Sequence, residues 1–183
     1  MLYIMRHGKT DWNAVHKLQG KTDVPLNEEG RQMVEEAGKR YRDTHFDVCY
    51  CSPLIRARET AEAVLRGRDV PIITDARLEE MSFGVCEGSM DFMVNPENPI
   101  HDLFCAPEKY VTPPEGGESL QALYARTGEF LREVVEPELR QWKDVLIVGH
   151  GAMNASIVCQ DRRMSLKDFW SAKMKNAELV RLI

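Results

Sequence analysis

Long apolar runs are absent from the sequence, and cysteine is scarce. No segment approaches the roughly 20 apolar residues of a membrane span, and Arg6 interrupts the only N-terminal apolar run after a few residues. We therefore expect neither a signal peptide nor a membrane anchor. The cysteines are five in number and scattered. An odd, scattered set favours reduced thiols in a cytoplasmic protein over a disulfide framework.

An excess of basic residues is also missing. The formal net charge is −5, which argues against non-specific binding to nucleic acid. Any anionic ligand would therefore require a local concentration of positive charge. The first 25 residues provide one, because they contain four basic residues, Arg6, Lys9, Lys17 and Lys21, against Asp11 and Asp23. With 183 residues and 43% hydrophobic composition, we expect one domain spanning residues 1–183.

Several motifs of common enzyme classes are lacking. There is no Walker-type or dinucleotide-binding glycine pattern, and the cysteines and histidines show no paired metal-ligand spacing. We therefore expect no metal and no cofactor. A cysteine phosphatase would need Cys-x5-Arg, but four residues separate Cys51 from Arg56 and six separate Cys49 from it. Pro53 would also remove an amide donor from the phosphate cradle.

Strand and helix patterns alternate along the chain. Strands are predicted at residues 2–5, 46–51, 70–74, 144–148 and 178–183. Helices are predicted at residues 28–44, 54–66 and 119–136, then to about residue 160 after the fourth strand, and at 165–171. Asn27 is the predicted N-cap of the first helix. This alternation predicts a layered α/β domain with a largely parallel sheet, in which residues 144–148 form a central strand.

Residues 89–117 differ from the rest of the chain. They contain five of the nine prolines and end in a pair of glycines. Because Pro and Gly interrupt regular structure, we predict an inserted lid of loops and short helical turns. Its apolar residues are expected to pack onto the body of the domain; they are Met90, Phe92, Met93, Leu103, Phe104 and Tyr110.

The first strand ends abruptly at a group of residues suited to binding an anion. Arg6 offers a planar fork of donors, and His7 can act as a nucleophile or carry a proton. Gly8 would let a ligand approach the backbone, and Asn13 adds an amide donor. Taken alone, these residues favour a core strand that ends in a surface Arg-His pair.

Two further features favour a functional site. The strand at 144–148 also ends in histidine and glycine, at His150 and Gly151, so the sheet could bring two imidazoles to one edge. Arg56 falls in the first turn of a helix that follows a strand, where backbone N–H groups also favour an anion. Arg58 lies two positions on and is predicted to face solvent.

The blocks that carry these residues resemble the histidine phosphatase superfamily, and more narrowly its phosphoglycerate mutase-like branch, which shares the Arg-His-Gly (RHG) motif. The resemblance spans nearly the whole chain in order. It rests on four blocks: Arg6-His7-Gly8 with Asn13, the segment 52–61 around Arg56, Leu78-Glu-Glu80-x-x-Phe-Gly84, and Gly149-His150-Gly151. It implies a three-layer α/β/α sandwich and metal-free phosphoryl transfer through a phosphohistidine.

The resemblance also implies residue roles. His7 is the nucleophile, and Arg6, Arg56 and His150 surround the phosphate, with Asn13 donating to it. Three further residues, Gln19, Gly20 and Gly151, are expected to help bind the substrate. Glu80 corresponds to the proton donor that later activates water. Without the resemblance, Glu79 and Glu80 cannot be told apart.

The choice between hydrolase and mutase depends on the lid. A mutase of this branch holds a second phosphate largely with basic lid residues, whereas residues 89–116 contain only Lys109 as a basic residue, against five carboxylates. Ala152 stands where mutases usually carry Asn, Ala155 where many members of the family have Arg, and Cys86 where a tryptophan pocket wall is common.

We therefore predict a phosphomonoester hydrolase that acts on a small phosphorylated metabolite whose remaining part is neutral or weakly anionic. A cofactor-dependent phosphoglycerate mutase and a non-catalytic binder of phosphorylated ligands stay as alternatives. Neither nucleic acid nor membrane is expected as a partner, and a homo-oligomer is compatible with the sequence.

Overall fold

A central five-stranded sheet organises the chain, and the computed structural model describes all residues 1–183. The strands are β1 (Leu2–Arg6), β2 (Val48–Cys51), β3 (Ile72–Thr74), β4 (Val145–Gly149) and β5 (Leu179–Arg181). They lie in the order β3-β2-β4-β1-β5. The first four are parallel to one another, and β5 runs antiparallel to β1 at one edge. The sheet is thus mainly parallel, as predicted.

The predicted central strand is confirmed, because β4 lies between β1 and β2 and all its residues are buried. Its register with β1 pairs Met5 with Val148 and Arg6 with Gly149. His7 and His150 therefore follow directly on neighbouring strands that end at the same edge. The prediction that two histidines share one sheet edge is borne out by this register.

Helices cover both faces of the sheet. They are α1 (Asp11–Ala14), α2 (Glu28–Arg40), α3 (Ile55–Val64), α4 (His101–Cys105), α5 (Leu120–Phe130), α6 (Glu136–Arg140) and α7 (Gly151–Asp161). Alternate strand residues face two separate cores, one shared with α2 and α3 and one shared with α5, α7 and the lid. On β4, for instance, Ile147 faces the α7 side and Leu146 the α2 side. The three-layer α/β/α sandwich is confirmed. None of these helices has the length and apolar character needed to cross a membrane.

Local sequence explains where α2 begins. The Asn27 side chain accepts a hydrogen bond from the Gly30 N–H at 2.8 Å, as an N-cap does. Two glutamates in the first turn and two basic residues in the last complement the helix dipole. The helix ends at Arg40, four residues before the predicted end, and turns continue the chain to β2.

Two helical predictions needed correction. The segment at residues 119–136 is not one α-helix, because α5 passes into a π-helical turn at Leu131–Val135 before α6 begins. Pro137 lacks an N–H group to continue the regular pattern, which accounts for the irregular turn before it. The segment predicted at residues 165–171 is a 3-10 helix, Leu166–Ala172. The short helix α1 was not predicted at all.

The lid at residues 89–117 consists of loops, α4 and a 3-10 turn, as predicted. Phe92, Leu103 and Tyr110 are buried against the body, and the Trp170 indole donates to the Leu103 carbonyl at 2.6 Å. The expectation that all its apolar residues pack inward was wrong for two methionines. Met90 is 62% exposed and Met93 is 57% exposed.

The segment after β1 makes a close contact with α2. A Cβ atom on Gly8 would lie 2.7 Å from Val34 Cγ1 and 2.9 Å from the Gly30 carbonyl oxygen. Similarly, a Cβ on Gly30 would lie 1.9 Å from the Lys9 carbonyl oxygen. The expectation that Gly8 makes room for a ligand was therefore wrong. Its missing side chain makes room for α2, which fixes the backbone beside His7.

Gly30→Ala should destabilise the protein by about 1–3 kcal/mol, because the new methyl group must displace the Lys9 carbonyl. Elsewhere inside a helix the same change stabilises by roughly 0.5–1 kcal/mol, so the sign of the effect is diagnostic. Urea unfolding of the variant measures it, with Gln32→Ala on the exposed face of α2 as the control. An increase in stability for Gly30→Ala would contradict the close contact.

Candidate active site

A cavity of about 890 Å3 opens beyond the carboxyl ends of the parallel strands. Eight of the nine residues predicted for the site line it: Arg6, His7, Asn13, Gln19, Gly20, Arg56, Glu80 and Gly151. The ninth, His150, is completely buried, and its ring centroid lies 5.2 Å from that of His7. The structure therefore brings together residues from five separate parts of the sequence.

His7 is held in one orientation. Its Nδ1 donates to the Gly8 carbonyl oxygen at 2.6 Å, so the lone pair of the neutral ring lies on Nε2. The Asn176 amide fixes the backbone here by donating to the His7 carbonyl at 2.9 Å. Burial, reinforced by the charges of Arg56 and Arg6, lowers the pKa of His7 well below 6.5. The ring is thus neutral, with Nε2 available as a nucleophile.

His150 is unusual because neither ring nitrogen has a hydrogen-bond partner in the protein, although the ring is fully buried. Burial first, and then the charge of Arg56, lowers its pKa well below 6.5. Buried polar atoms normally have partners. A buried imidazole without one, next to His7, is suited to donate to a ligand bound beside both rings.

Arg56 is buried and Arg6 is half-buried, and both are only partly bonded. Arg6 donates from Nη1 to the Met174 carbonyl at 3.0 Å, and Arg56 donates to the Thr22 carbonyl at 2.9 Å and the Gly20 carbonyl at 2.6 Å. The Nε of each arginine has no partner in the protein. Burial lowers the pKa of both guanidinium groups, which nevertheless stay charged at neutral pH.

The loop that receives Arg56 is held by Glu87, whose role the sequence did not reveal. Its carboxylate accepts from the N–H of Lys21 and the N–H of Thr22, both at 2.9 Å. It also accepts from the Thr22 hydroxyl at 2.5 Å and from the Phe83 N–H at 3.2 Å. Gly20 has a φ of +58°, and a Cβ there would lie 2.2 Å from the Glu87 carboxylate. Glu87 thereby fixes the two carbonyls that orient Arg56.

Glu80 enters the cavity at the N-terminus of α7. Its Oε1 accepts from the N–H groups of Met81 and Met153, both at 2.9 Å. Its Oε2 accepts a single hydrogen bond from the protein, from the Ala152 N–H at 3.1 Å. Glu79 instead pairs with Lys21 near the surface at 2.8 Å. The structure thus separates two glutamates that the sequence alone could not.

Thr10 links the two amides predicted to bind substrate. Its hydroxyl lies 3.2 Å from Asn13 Oδ1 and 2.9 Å from Gln19 Oε1, and its own N–H also donates to Asn13 Oδ1. Because the oxygens of both amides face Thr10, their NH2 groups are left for other partners. Asn13 and Gln19 both line the cavity, where these NH2 groups can serve as donors.

The cavity carries an excess of positive charge near its base. Two guanidinium groups, Arg6 and Arg56, are accompanied by a single carboxylate, Glu80. Uncompensated buried charge is costly unless an opposite charge joins it. Together with the free nitrogens of the histidines, these groups are suited to bind a tetrahedral oxyanion next to a nucleophilic imidazole.

Residues 173–176 also line the cavity, although no sequence pattern points to them. Lys173 and Lys175 bring two further cations to it, while Asn176 bonds to His7. This segment reaches the site because β5, which follows it, pairs with β1. The five acidic residues of the lid do not line the cavity, so the sequence argument from lid charge is not supported by their positions.

Glu87→Gln should weaken the binding of inorganic phosphate by on the order of tenfold to a hundredfold, the equivalent of one misaligned hydrogen bond to a charged group. An amide cannot accept from all four donors, so Arg56 would lose its fixed position. Calorimetric titration with phosphate measures the effect. Glu79→Gln, which removes a partly exposed ion pair to the same loop, is the control and should change little. Equal effects for both variants would contradict the role given to Glu87.

The depressed histidine pKa values predict how stability depends on pH. Below about pH 6.5 the histidines of the unfolded chain bind protons, whereas His7 and His150 of the folded protein do not. Lowering the pH therefore lowers the free energy of unfolding, by up to about 1.4 kcal/mol per pH unit for each histidine. His150→Gln should therefore show a shallower decline than wild type in urea unfolding between pH 7 and 5. The exposed His16 provides the control variant, His16→Gln. Unchanged slopes for His150→Gln would show that the ring is not buried neutral.

Comparison with known proteins agrees with this geometry. Residues 2–183 match the family model of the histidine phosphatase superfamily (branch 1). The chain is 33% identical to a 2,3-bisphosphoglycerate-dependent phosphoglycerate mutase of Cytophaga hutchinsonii, over 92% of this chain and 80% of the relative. It is 30% identical to phosphoserine phosphatase 1 of Hydrogenobacter thermophilus, over 96% and 82%.

The fold agrees as well. The solved structure of Bacillus stearothermophilus YhfR superimposes with a TM-score of 0.86 at 33% identity, covering 97% of this chain and 88% of that one. The family match extends over the whole sheet and every predicted site residue. The chain therefore belongs to the histidine phosphatase superfamily, branch 1.

Proposed function

We propose that the protein is a phosphomonoester hydrolase that acts on small phosphorylated metabolites through a phosphohistidine intermediate. The observation that carries the proposal is a neutral His7 with a free Nε2, next to the buried guanidinium of Arg56 and the half-buried guanidinium of Arg6. Similarity to a phosphoserine phosphatase supports hydrolysis of such substrates. The positive charge that phosphoryl transfer requires comes here from arginines.

In the first step, His7 Nε2 attacks the phosphorus and forms a P–N bond as the bond to the alcohol oxygen breaks. Arg6 and Arg56 stabilise the charge that spreads over the equatorial oxygens. Glu80 gives the proton on Oε2 to the leaving oxygen, so the product departs as a neutral alcohol. The second imidazole, His150, donates to a phosphoryl oxygen. The enzyme is left as a phosphohistidine with an ionised Glu80.

In the second step, a water molecule attacks the phosphorus and the P–N bond breaks. Glu80 takes a proton from the attacking water and thereby returns to its initial state. Two backbone N–H groups at the N-terminus of α7, those of Ala152 and Met153, stabilise the carboxylate between the two steps together with the Met81 N–H. His7 recovers its neutral ring, and inorganic phosphate is released.

The mutase alternative requires a firm hold on a second phosphate. The lid contributes only apolar side chains to the cavity, among them Met90, Met93 and Phe104. None of these can donate a hydrogen bond to a phosphate. A mutase is among the relatives, and Lys173 and Lys175 line the cavity, where they could bind a second phosphate. The mutase reaction is therefore the second candidate. The apolar lid wall favours hydrolysis.

A non-catalytic binder is a weaker candidate. Such a protein needs neither a nucleophile nor a proton donor, yet both His7 and Glu80 are oriented by specific hydrogen bonds. We also propose that the protein acts in the cytoplasm, a location that suits its five free cysteines.

The direct test is phosphate release from a panel of phosphomonoesters, run beside an assay for conversion of 3-phosphoglycerate to 2-phosphoglycerate. Hydrolysis without appreciable isomerisation is the expected result. Faster isomerisation than hydrolysis would replace the hydrolase assignment with the mutase. Phosphate binding without turnover of any ester would instead support the non-catalytic binder of phosphorylated ligands.

Glu80→Gln should slow hydrolysis most for esters with poor leaving groups, because only those need a proton as the bond breaks. We expect kcat/KM to fall by roughly 10²–10⁴-fold for an alkyl ester and by much less for nitrophenyl phosphate. Steady-state kinetics on both esters measure the difference. Glu79→Gln serves again as the control. An equal loss on both esters would show that Glu80 is not the proton donor.

A further inference from the structure

One wall of the cavity is chemically unlike its base. Four lid residues and three neighbours from the body of the domain form this lid wall with aromatic, aliphatic and thioether side chains: Met90, Phe92, Met93 and Phe104 from the lid, and Leu18, Phe83 and Trp170 from the body. No acidic residue lies among them. The cavity therefore combines a cationic base, which fits the phosphate, with an apolar wall, which would face the alcohol part of an ester.

The aromatic part of this wall is rigid. Phe104 stacks on Trp170 with ring centroids 4.9 Å apart and an interplanar angle of 11°, and it packs against Phe92 at 4.6 Å and Phe83 at 5.9 Å. The Trp170 indole is anchored by its hydrogen bond to the Leu103 carbonyl. Four rings that fix one another need little rearrangement when a ligand binds, which favours affinity.

Met90 and Met93 complete the wall but are not buried by the protein. They are 62% and 57% exposed and line the cavity. Exposed apolar residues gathered at a concave site mark a binding surface. Methionine is flexible and polarisable, so this pair can adapt to apolar groups of different shape.

The volume of the cavity suits a ligand that is larger than the phosphate ester of a short polar alcohol. At about 890 Å3 the cavity lies near the upper end of the range for small-molecule sites. A three-carbon phosphate ester would leave the lid wall exposed to water. A bulky apolar group would cover it and gain the associated hydrophobic free energy.

We propose that the preferred substrates are phosphomonoesters of bulky apolar alcohols, alkyl or aryl, whose apolar part lies against this lid wall. The proposal rests on the proposed hydrolase function. It assigns the phosphate to the base of the cavity and the apolar part to Met90, Met93 and the aromatic cluster around Phe104. It also explains why the lid carries no cation facing the cavity.

The test compares ethyl, butyl and hexyl phosphate. All three are esters of primary alcohols of nearly equal acidity, so the chemical step is matched and only the apolar length differs. A fully buried methylene contributes about a fourfold increase in binding. We therefore expect kcat/KM to rise at least about tenfold from ethyl to hexyl phosphate, with 3-phosphoglycerate and phosphoserine below hexyl phosphate.

The variant Met90→Ser/Met93→Ser identifies the surface responsible. Both side chains are exposed, so the fold should tolerate the changes, which thermal unfolding checks. The hexyl-to-ethyl ratio of kcat/KM should fall at least about threefold in this variant. Val111→Ser is the matched control, because Val111 is a lid residue that is 75% exposed but does not line the cavity.

The outcomes separate the two proposals. Equal kcat/KM for ethyl and hexyl phosphate, or a preference for 3-phosphoglycerate, would overturn the apolar subsite and leave the hydrolase intact. A chain-length effect that the methionine double variant does not reduce would also overturn the assignment. No hydrolysis of any ester would overturn the hydrolase and the subsite together.

Discussion

One buried and one half-buried guanidinium group beside two neutral imidazoles form the constraint on which this structure depends. Removing an unpaired charge from water costs several kcal/mol per ion, and Glu80 is the one carboxylate in the cavity to offset Arg6 and Arg56. The protein meets this cost with backbone carbonyls, those of Met174, Gly20 and Thr22. The Nε atoms of both arginines and the ring nitrogens of His150 remain unpaired in the protein. The same arrangement keeps the histidines neutral.

The topology explains how such distant residues meet. Pairing of β1 with β4 places His7 and His150 at one edge, and the N-terminus of α7 then receives Glu80 from a different segment. Pairing of β1 with β5 brings residues 173–176 to the same place. Each of these groups is positioned by main-chain geometry, which tolerates much variation in the surrounding side chains. This is consistent with relatives at about one third identity that retain the same fold.

Much of this could be predicted from the sequence because the responsible signals are local. The apolar runs of β1 and β4, each followed by histidine and glycine, predicted the sheet edge and both imidazoles. The N-cap Asn27 likewise marked the start of α2. By contrast, no local pattern singles out Glu87, because its role arises from hydrogen bonds to a loop more than 60 positions away.

The same dependence on contacts between distant residues explains why some predictions about the lid were wrong. Composition identified the segment and its acidic character correctly, but it could not show which side chains face inward. The carboxylates lie away from the cavity, whereas Met90 and Met93 line it. Orientation there is set by the contacts of Phe104 with Trp170, residues 66 positions apart in the sequence. The relatives include both a mutase and a phosphatase.

The most direct measurement is to quench the enzyme during turnover of a phosphate-labelled ester and locate the label. We expect an acid-labile, base-stable phosphoryl group on the peptide that contains His7. The label should be absent in His7→Ala and present, though formed more slowly, in His150→Ala. Label on the His150 peptide, or phosphate release by His7→Ala at the wild-type rate, would contradict the account.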